Sequence, residues 1–396
     1  MQHSKISGIP PAGLPEIFII FVSAMGFWKR LLSVFLLGAI TWSALGQRLP
    51  LKEKTEWKPL QMPIEYFHVE IPADTVTLWI VGDIISHRAV SKSAEQFGYS
   101  TFFQYVEEEL QGADIAIGNM EFPLAGQPYM GYPSFSGPDD FAQYLWDVGF
   151  DVLLTANNHI LDKGSAGLRR TIEALDGMGI TYTGIAADAA ADSLHNPLFV
   201  HVKGVTLGIV NFTYGTNSGA DSRWPKVWYM NKEALEPLMA RAREGADFVL
   251  AFPHWGWEYF FRHNEGQEEM ARWLVEHGAD AIIGGHPHVV QDYQEIDGVP
   301  VVYSLGNALS NQNDLPARLE AAVTFKIVTH WGEEPYLLPP TFKYLWCTKP
   351  GMVEDSYAAV PVTLPQEYWR VPEDFDNMTK TFNRQKEGGF LPGLEP

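Results

Sequence analysis

Four short apolar segments of the chain share one plan, in which an aspartate begins the segment and a side chain able to bind a metal ion ends it. The segments span residues 114–121, 151–158, 247–254 and 280–286. Their last residues are Glu121, Asn158, His254 and His286. Stretches with helical periodicity lie around them, at residues 100–110, 139–148, 165–178, 232–244 and 265–277. Strands that alternate with helices predict an α/β fold with a mainly parallel sheet covered by helices.

The polar residues that follow the predicted strands are expected to meet at one edge of the sheet. In open α/β sheets, ligands bind beside the carboxyl ends of the strands. The first predicted strand, residues 76–81, leads into Asp83, with His87 just beyond it. The expected cluster comprises Asp83, His87, Glu121, Asn158, His159, His254, His286 and His288.

This donor set indicates a metal site. Imidazoles together with carboxylates and an amide suit zinc, manganese or iron better than calcium or magnesium, which prefer shells made of oxygen. The set is larger than one tetrahedral ion needs, so it predicts one or two divalent ions, a pair being about 3.5–4 Å apart with a bridging carboxylate. Each residue alone also has a structural explanation; residues 157–159, for example, are suited to capping a helix. Coincidence at five strand ends is harder to sustain.

Composition excludes several other classes of protein. Asp and Glu total 48 against 28 Lys and Arg, a formal net charge of −20, which repels the phosphate backbone of nucleic acids. The single cysteine, Cys347, rules out an intramolecular disulfide, a thiolate zinc site and an iron–sulfur cluster. No nucleophile elbow, Walker A sequence or zinc-protease helix motif is present.

The N-terminal sequence indicates export. A basic stretch at residues 25–30 precedes an apolar run at 31–45, and small residues close the run at 44–46. These are the parts of a secretory signal, with Met25 as the expected start, and an uncleaved anchor is the alternative. The expected organisation is a signal or anchor at 1–46, a lead-in segment at 47–74, a metal-binding domain at 75–330 and a C-terminal extension at 331–396.

The sequence resembles the CapA/PgsA family of bacterial capsule and poly-γ-glutamate synthesis proteins. The resemblance runs over residues 76–328 and rests on motifs at 82–83, 118–121, 156–164, 254–259, 285–291 and 303–307. It implies a calcineurin-like metallophosphoesterase fold, a sandwich of mixed sheets flanked by helices.

The resemblance also implies roles for single residues. Glu121 takes the position of a bridging carboxylate, His159 that of a general acid or phosphate-orienting group, and Asp162 that of its partner or of a helix cap. The implied metal ligands are Asp83, Asn158, His254, His286 and His288. Two departures concern the first metal position: Ile85 stands where phosphoesterases have histidine, and Glu121 replaces aspartate. His87 is the candidate substitute ligand, and a one-metal or vestigial site is the alternative.

Aromatic and polar residues near the motifs are candidates to line the mouth of the site. They are Tyr214, Asn217, Trp255, Trp257, Glu258, Tyr259, Asn307 and Arg318. Rings beside polar groups suit a sugar or an extended polymer, and an arginine suits phosphate or carboxylate. Core packing is the competing explanation for each of them.

Two functions are consistent with these observations. The first is an exported, metal-dependent, phosphoesterase-like hydrolase that serves cell-surface polymer assembly and acts on a phosphorylated substrate or anionic polymer, with metal-activated water as nucleophile. The second is a non-catalytic accessory subunit of a membrane polymer synthase, which binds the polymer or a lipid carrier. An intracellular nucleotide phosphatase is a third, which the export signal opposes.

Overall fold

The computed structural model of the protein describes residues 74–219, 223–330 and 332–394. The predicted signal or anchor at 1–46, and the lead-in segment apart from its last residue, lie outside the described residues. Within the described ranges, none of the helices combines the length and the apolar character needed to cross a membrane.

Strands from most of the described chain build two large mixed sheets and one small sheet. In chain order they are β1 (Asp74–Ile84), β2 (Ile115–Met120), β3 (Val152–Leu154), β4 (Tyr182–Thr183), β5 (Ile185–Ala186), β6 (Leu198–Val202), β7 (Val205–Thr213), β8 (Lys226–Val227), β9 (Phe248–His254), β10 (Ala281–Ile283), β11 (Tyr293–Ile296), β12 (Val299–Val302), β13 (Asn307–Leu309), β14 (Leu319–Thr329), β15 (Tyr336–Leu337), β16 (Thr341–Thr348) and β17 (Ala358–Pro361).

Each large sheet has a parallel centre and antiparallel edges. The first has the order β17-β16-β14-β1-β2-β3-β4, with β13 beside β1 and β15 beside β14. Strands β1 to β4 are parallel, whereas β14, β16 and β17 are antiparallel. The second has the order β11-β12-β10-β9-β7-β6, with only the outer strands β6 and β11 antiparallel. β5 and β8 form the small sheet.

Helices cover the outer faces of both sheets. They are α1 (Arg88–Phe97), α2 (Glu107–Gly112), α3 (Asp139–Val148), α4 (Gly164–Met178), α5 (Ala189–His195), α6 (Lys232–Gly245), α7 (Glu265–Glu276) and α8 (Pro372–Glu387), with short 3-10 turns at Leu315–Arg318 and Gln366–Tyr368. Four of the five predicted helices are confirmed to within a residue at each end. The fifth begins seven residues later than predicted, at Glu107, and the fully buried Phe102 and Phe103 lie in the turn before it.

Apolar side chains fill the spaces between these layers. Leu78 and Ile80 of β1 meet Leu250 of β9 in a core between the two sheets. On the outside of the first sheet, helices α1, α3 and α4 bury their apolar faces, and on the outside of the second sheet α6 and α7 do so. The predicted α/β sandwich of mixed sheets flanked by helices is therefore confirmed.

Strands from the predicted C-terminal extension complete the first sheet. β16 pairs with β14 from Leu319 opposite Trp346 to Thr324 opposite Thr341, and β17 pairs with β16. Helix α8 packs Met378 into the same apolar cluster as Trp346. These residues join the sheet by regular pairing, a non-local feature that the Pro- and Trp-rich sequence does not signal.

Candidate metal centre

The carboxyl ends of the parallel strands of both sheets bring the predicted ligands to one place. Asp83 lies near the end of β1, Glu121 directly follows β2, and Asn158 follows β3. From the second sheet, His254 is the last residue of β9, and the segment after β10 carries two further histidines. All six side chains, Asp83, Glu121, Asn158, His254, His286 and His288, are buried.

Their donor atoms form two overlapping groups. In the first group, one donor atom each from Asp83, Glu121 and His288 lie within 4.8 Å of one another. In the second group, Glu121, His254 and His286 do the same. Asn158 Oδ1 lies 2.9 Å from His254 Nε2, beside the second group. Because Glu121 belongs to both groups, its carboxylate would be shared by two ions if both groups held one.

Glu121 tests whether these residues fit a metal ion. Its side chain is 0% exposed, and neither carboxylate oxygen accepts a hydrogen bond from any residue that the structure describes. The buried Nδ1 of His286 is likewise without a partner among the described residues. Burying an unpaired carboxylate is costly unless a cation compensates it. The donor set, which mixes imidazole with carboxylate, fits a divalent transition metal.

Asp83 is held as a carboxylate by its neighbours. Its Oδ1 accepts a hydrogen bond of 2.7 Å from Asn119 Nδ2, and its Oδ2 accepts one of 3.1 Å from the backbone N–H of His286. Burial alone would raise the pKa of Asp83, but the imidazole of His288, 3.5 Å away, together with His254 and Asn119, lowers it to about 2.

The two histidines after β10 differ in their electrostatic surroundings. Burial lowers the pKa of both imidazoles. For His286 the positive charges of His254 and His288 lower the pKa further, so it lies well below the usual value. For His288 the carboxylates of Glu121 and Asp83 outweigh burial and raise the pKa to about 9. An ion bound in the first group would therefore displace a proton from His288.

Tight backbone geometry brings these histidines close to Asp83. His286 and His288 have φ angles of 98° and 58°, in the left-handed region that β-carbon-bearing residues rarely adopt. A Cβ at Gly285 would lie 2.7 Å from Asp83 Oδ1. Glycine is thus required at 285, and the strained turn is of the kind found at functional sites.

The structure does not place His87 among the ligands. It lies outside both groups, and its Nδ1 accepts a hydrogen bond of 3.1 Å from the backbone N–H of Asn311. Burial, together with repulsion from His288, His159 and Lys349, lowers its pKa to about 4. His87 as a ligand therefore stays a prediction, and Ile85, buried and apolar, supplies no donor at its own position.

His159 and Asp162 form a buried pair at the edge of the metal centre. His159 Nδ1 and Asp162 Oδ2 lie 2.7 Å apart, and the same oxygen accepts a hydrogen bond of 2.7 Å from the backbone N–H of Phe135. Asp162 thereby sets the orientation of the imidazole. The ring faces a cavity of about 290 Å³. That cavity is lined by Ile85, His87, Tyr132, Phe135, His159, Glu258, Tyr259, His288 and Gln312.

Four predicted substrate residues lie around this centre. Tyr214 packs its ring against His286, with centroids 4.5 Å apart. Asn217 donates its backbone N–H to Asn158 O, and its Nδ2 lies 3.3 Å from His159 Nδ1. Glu258 and Tyr259 line the cavity.

The other four are placed differently from the prediction. Asn307 is buried, with Oδ1 3.0 Å from His288 Nδ1 and Nδ2 donating to Ala317 O, so it positions a ligand. Arg318 is 4% exposed, stacks on Trp346 and donates to the backbone oxygen of Cys347. Trp255 is a core residue that donates to Tyr303 O. Trp257 is exposed and packs on Phe260 rather than lining the cavity.

Sequence reasoning missed several residues that shape the centre. Asn119, which donates to Asp83, sits within the motif at 118–121 and alternates with Glu121, so its position at the strand end was the available signal. Tyr132, Phe135 and Gln312 reach the cavity from loops that carry no strand-end pattern. Their placement depends on tertiary packing.

Comparisons with known proteins agree with this assembly. A family model described as "Bacterial capsule synthesis protein PGA_cap" matches residues 77–312. The chain is 32% identical over 260 residues to the PGA biosynthesis protein CapA of Bacillus subtilis (strain 168), covering 64% of this chain and 68% of that protein. It is 29% identical over 266 residues to the capsule biosynthesis protein CapA of Bacillus anthracis, covering 64% of each.

Two further likenesses are more remote. A protein of Mycobacterium tuberculosis (strain ATCC 25618 / H37Rv), named a "probable polyglutamine synthesis accessory protein", is 29% identical over 175 residues, covering 40% of this chain and 45% of that protein. The structure of a 5'-nucleotidase precursor from Thermus thermophilus matches 80% of this chain and 59% of that chain, with 14% identity and a TM-score of 0.45. Because the family match spans most of the described sandwich and more than half of the chain, the protein belongs to the bacterial capsule synthesis protein PGA_cap family.

Proposed function

We propose that this protein is an exported, metal-dependent phosphoesterase-like hydrolase that acts in the synthesis of a capsule or poly-γ-glutamate type polymer. Family membership and the names of the two Bacillus relatives support the polymer context. The basic and apolar sequence at residues 25–46 supports export. Its substrate would be a phosphorylated compound or the anionic polymer itself, with synthase components as neighbours in the membrane.

One observation carries the hydrolytic part of this proposal. The buried Glu121 carboxylate has no donor among the described residues, and it is shared by two groups of metal-binding side chains. A carboxylate in this position is stabilised by cations and by little else. The proposed ligands are Asp83, Glu121 and His288 for one ion, and Glu121, Asn158, His254 and His286 for a second.

The residues around the proposed ligands are suited to the steps of phosphoester hydrolysis. A divalent manganese, zinc or iron ion held there would lower the pKa of water and polarise a phosphoester oxygen. Asp162 accepts the Nδ1 proton of His159 and leaves Nε2 as the nitrogen that exchanges a proton with the cavity. His159 can therefore protonate a leaving oxygen, as a general acid does. The bulk of Phe135 against its ring limits other orientations.

Metal stoichiometry and phosphoester hydrolysis test the proposal together. The chain, purified without chelator or histidine tag, is analysed for bound metals and then assayed with 4-nitrophenyl phosphoesters. We expect one or two transition-metal ions per chain and hydrolysis that chelation abolishes and manganese or zinc restores. A chain that binds no metal after reloading, or that binds metal and cleaves no phosphoester in a broad screen, would refute a hydrolase.

A non-catalytic accessory subunit is the second candidate. The apolar Ile85 in place of a ligand, and the word "accessory" in the name of the mycobacterial relative, favour it. Such a subunit would bind the polymer or a lipid carrier and hold it for the synthase. It predicts saturable binding of poly-γ-glutamate or a lipid phosphate without turnover, even at full metal occupancy.

A further inference from the structure

We propose that the cavity beside the metal centre selects a phosphodiester over a phosphomonoester and accommodates the second ester group of the diester. This inference rests on the proposed function and specifies its substrate class. The cavity is the one defined above, of about 290 Å³. It adjoins the first ligand group because His288 belongs to both.

Geometry determines which part of a substrate would face this cavity. A phosphoryl group held at the first ligand group would lie next to the cavity, because His288 of that group lines the cavity together with His159. One of its remaining oxygens would then face the cavity. In a phosphomonoester that oxygen carries the second negative charge. In a phosphodiester it carries a carbon substituent and no charge. The charges and surfaces of the cavity wall therefore decide between the two classes.

The wall is poorly suited to a second negative charge. None of the described residues that line the cavity is a lysine or an arginine. The carboxylate of Glu258 faces the cavity, and no described residue donates a hydrogen bond to it. It lies close enough to the centre to act electrostatically on His288, Tyr214 and Tyr259. A dianion would meet this carboxylate, and the wall offers no lysine or arginine among the described residues to compensate it.

Two hydrogen-bonding groups of the wall, His87 and Gln312, are neutral. Because His87 Nδ1 accepts the backbone N–H of Asn311, the neutral ring carries its proton on Nε2. His87 is thus a hydrogen-bond donor for an ester oxygen, a role distinct from that of a metal ligand. Gln312 adds an amide whose Oε1 already accepts from Asn307 Nδ2 at 3.2 Å. Such donors suit an oxygen that carries little charge.

The rest of the wall is apolar or aromatic. Ile85 and Phe135 are buried, and their side chains form the inner surface of the cavity. Tyr132, 76% exposed, and Tyr259 stand at the outer rim. Rings that present carbon surface with a polar tip can cover a carbon substituent and still reach water. The cavity volume, near the lower end of the roughly 300–1,000 Å³ usual for ligand pockets, suits one ester group.

A pair of stable phosphonates tests the charge preference directly. Phenylphosphonate is a dianion at pH 8, whereas its monomethyl ester is a monoanion of nearly the same shape. Binding of each to the full chain loaded with manganese is measured by titration calorimetry, at fixed ionic strength. We expect the monomethyl ester to bind about fivefold more tightly, the size of one like-charge contact of about 1 kcal/mol at an exposed carboxylate such as Glu258.

Glu258→Gln identifies the source of the preference. The change removes the charge and keeps the shape, so we expect dianion binding to improve about fivefold while monoanion binding stays within twofold. Glu244→Gln, an exposed substitution on α6 away from the cavity, is the matched control and should change neither. An unchanged thermal unfolding midpoint shows that Glu258→Gln is folded.

The outcomes separate this inference from the function it rests on. Tighter binding of the dianion to the unaltered chain, or an unchanged ratio in Glu258→Gln, overturns the diester preference. Hydrolysis of 4-nitrophenyl phosphate in preference to bis(4-nitrophenyl) phosphate overturns it too, and leaves the hydrolase standing. A chain that binds neither metal nor phosphonate refutes both. Tighter monoanion binding without turnover supports the cavity's preference and refutes the hydrolase.

Discussion

Several residues of the proposed metal centre have conformations or surroundings that lower the stability of the folded protein. The left-handed backbone at His286 and His288 costs of order 1–3 kcal/mol at each position, and the unpaired Glu121 adds to this. Such a centre persists because packing and hydrogen bonds in the rest of the fold hold its residues in place. An ion bound at Glu121 would offset the cost of its buried charge, which in the metal-free protein has, among the described residues, only His254 Nε2, 3.5 Å from Oε1, within ion-pair distance.

The first residue-scale prediction concerns His286. His286→Ala should abolish metal binding in the second group, because it removes one donor from a set of three imidazole and carboxylate ligands. Stability should fall by only about 1 kcal/mol, since the lost contacts are ring packing against Tyr214 and His254. Elemental analysis and thermal unfolding are the measurements, with His201→Ala on β6 as the surface control. Full metal occupancy in His286→Ala would refute the assignment.

The second concerns the orientation of His159. Asp162→Asn should lower hydrolysis by about 100-fold at unchanged metal content, because the amide oxygen can replace Asp162 Oδ2 as acceptor but carries no negative charge to stabilise the protonated imidazole of His159. Steady-state kinetics of Asp162→Asn, His159→Gln and the double variant measure the effect. If Asp162 acts through His159, the double variant is no slower than His159→Gln. Additive losses would show an independent role.

Among the helices and strands, those that are encoded by local patterns of residues were mostly predicted from the sequence. The apolar segments became β2, β3, β9 and β10. Residues 203–204 and 297–298 have positive φ at both positions, as two-residue hairpin turns require. Ligands at strand ends could be found because parallel strands share an edge. Asn307 and Arg318 could not be placed, because their contacts depend on β13 and β16, strands brought together from distant sequence.

Strand β14 carries a buried acid whose titration gives a further prediction. Glu320 accepts a hydrogen bond from the backbone N–H of Gly82, and burial together with the charge of Asp83 raises its pKa to about 8. The folded chain thus keeps a proton that the unfolded chain loses above about pH 4.5. The contribution of Glu320 to the stability of the metal-free protein should therefore fall as pH rises from about 4.5 to about 8, by at most about 1.4 kcal/mol per unit, and level off above it.

Glu320→Gln should remove this dependence and keep the acceptor for Gly82. Its stability relative to the unaltered chain should rise by about 1–4 kcal/mol between pH 5 and pH 8, in urea unfolding with a chelator present. Glu276→Gln, exposed on α7, serves as the control with a flat difference. A difference for Glu320→Gln that is also flat would mean that the acid is ionised throughout.

For the whole molecule, the layered architecture links ion binding to global stability. The proposed ligands come from both large sheets, so an ion bound at Glu121 would contact both halves of the sandwich. An ion that binds only the folded chain should raise its stability by about 2.7 kcal/mol at 100 times the dissociation constant. Thermal unfolding with manganese or zinc, compared with chelator, measures this shift. Calcium should raise the unfolding temperature only slightly, because imidazoles are poor ligands for it. An equally large increase with calcium would contradict the proposed ligand set.

Because the proposed ligands are divided between the two large sheets, metal binding depends on how the sheets are aligned. Asp83, Glu121 and Asn158 move with the first sheet, whereas His254, His286 and His288 move with the second. Sliding one layer over the other by a single ångström would separate Glu121 from His254 while every strand pairing stayed intact. The ion would then leave before the secondary structure changed. Metal release in mild denaturant, with the circular dichroism signal unchanged, would show that the two sheets move relative to each other before their strands unfold.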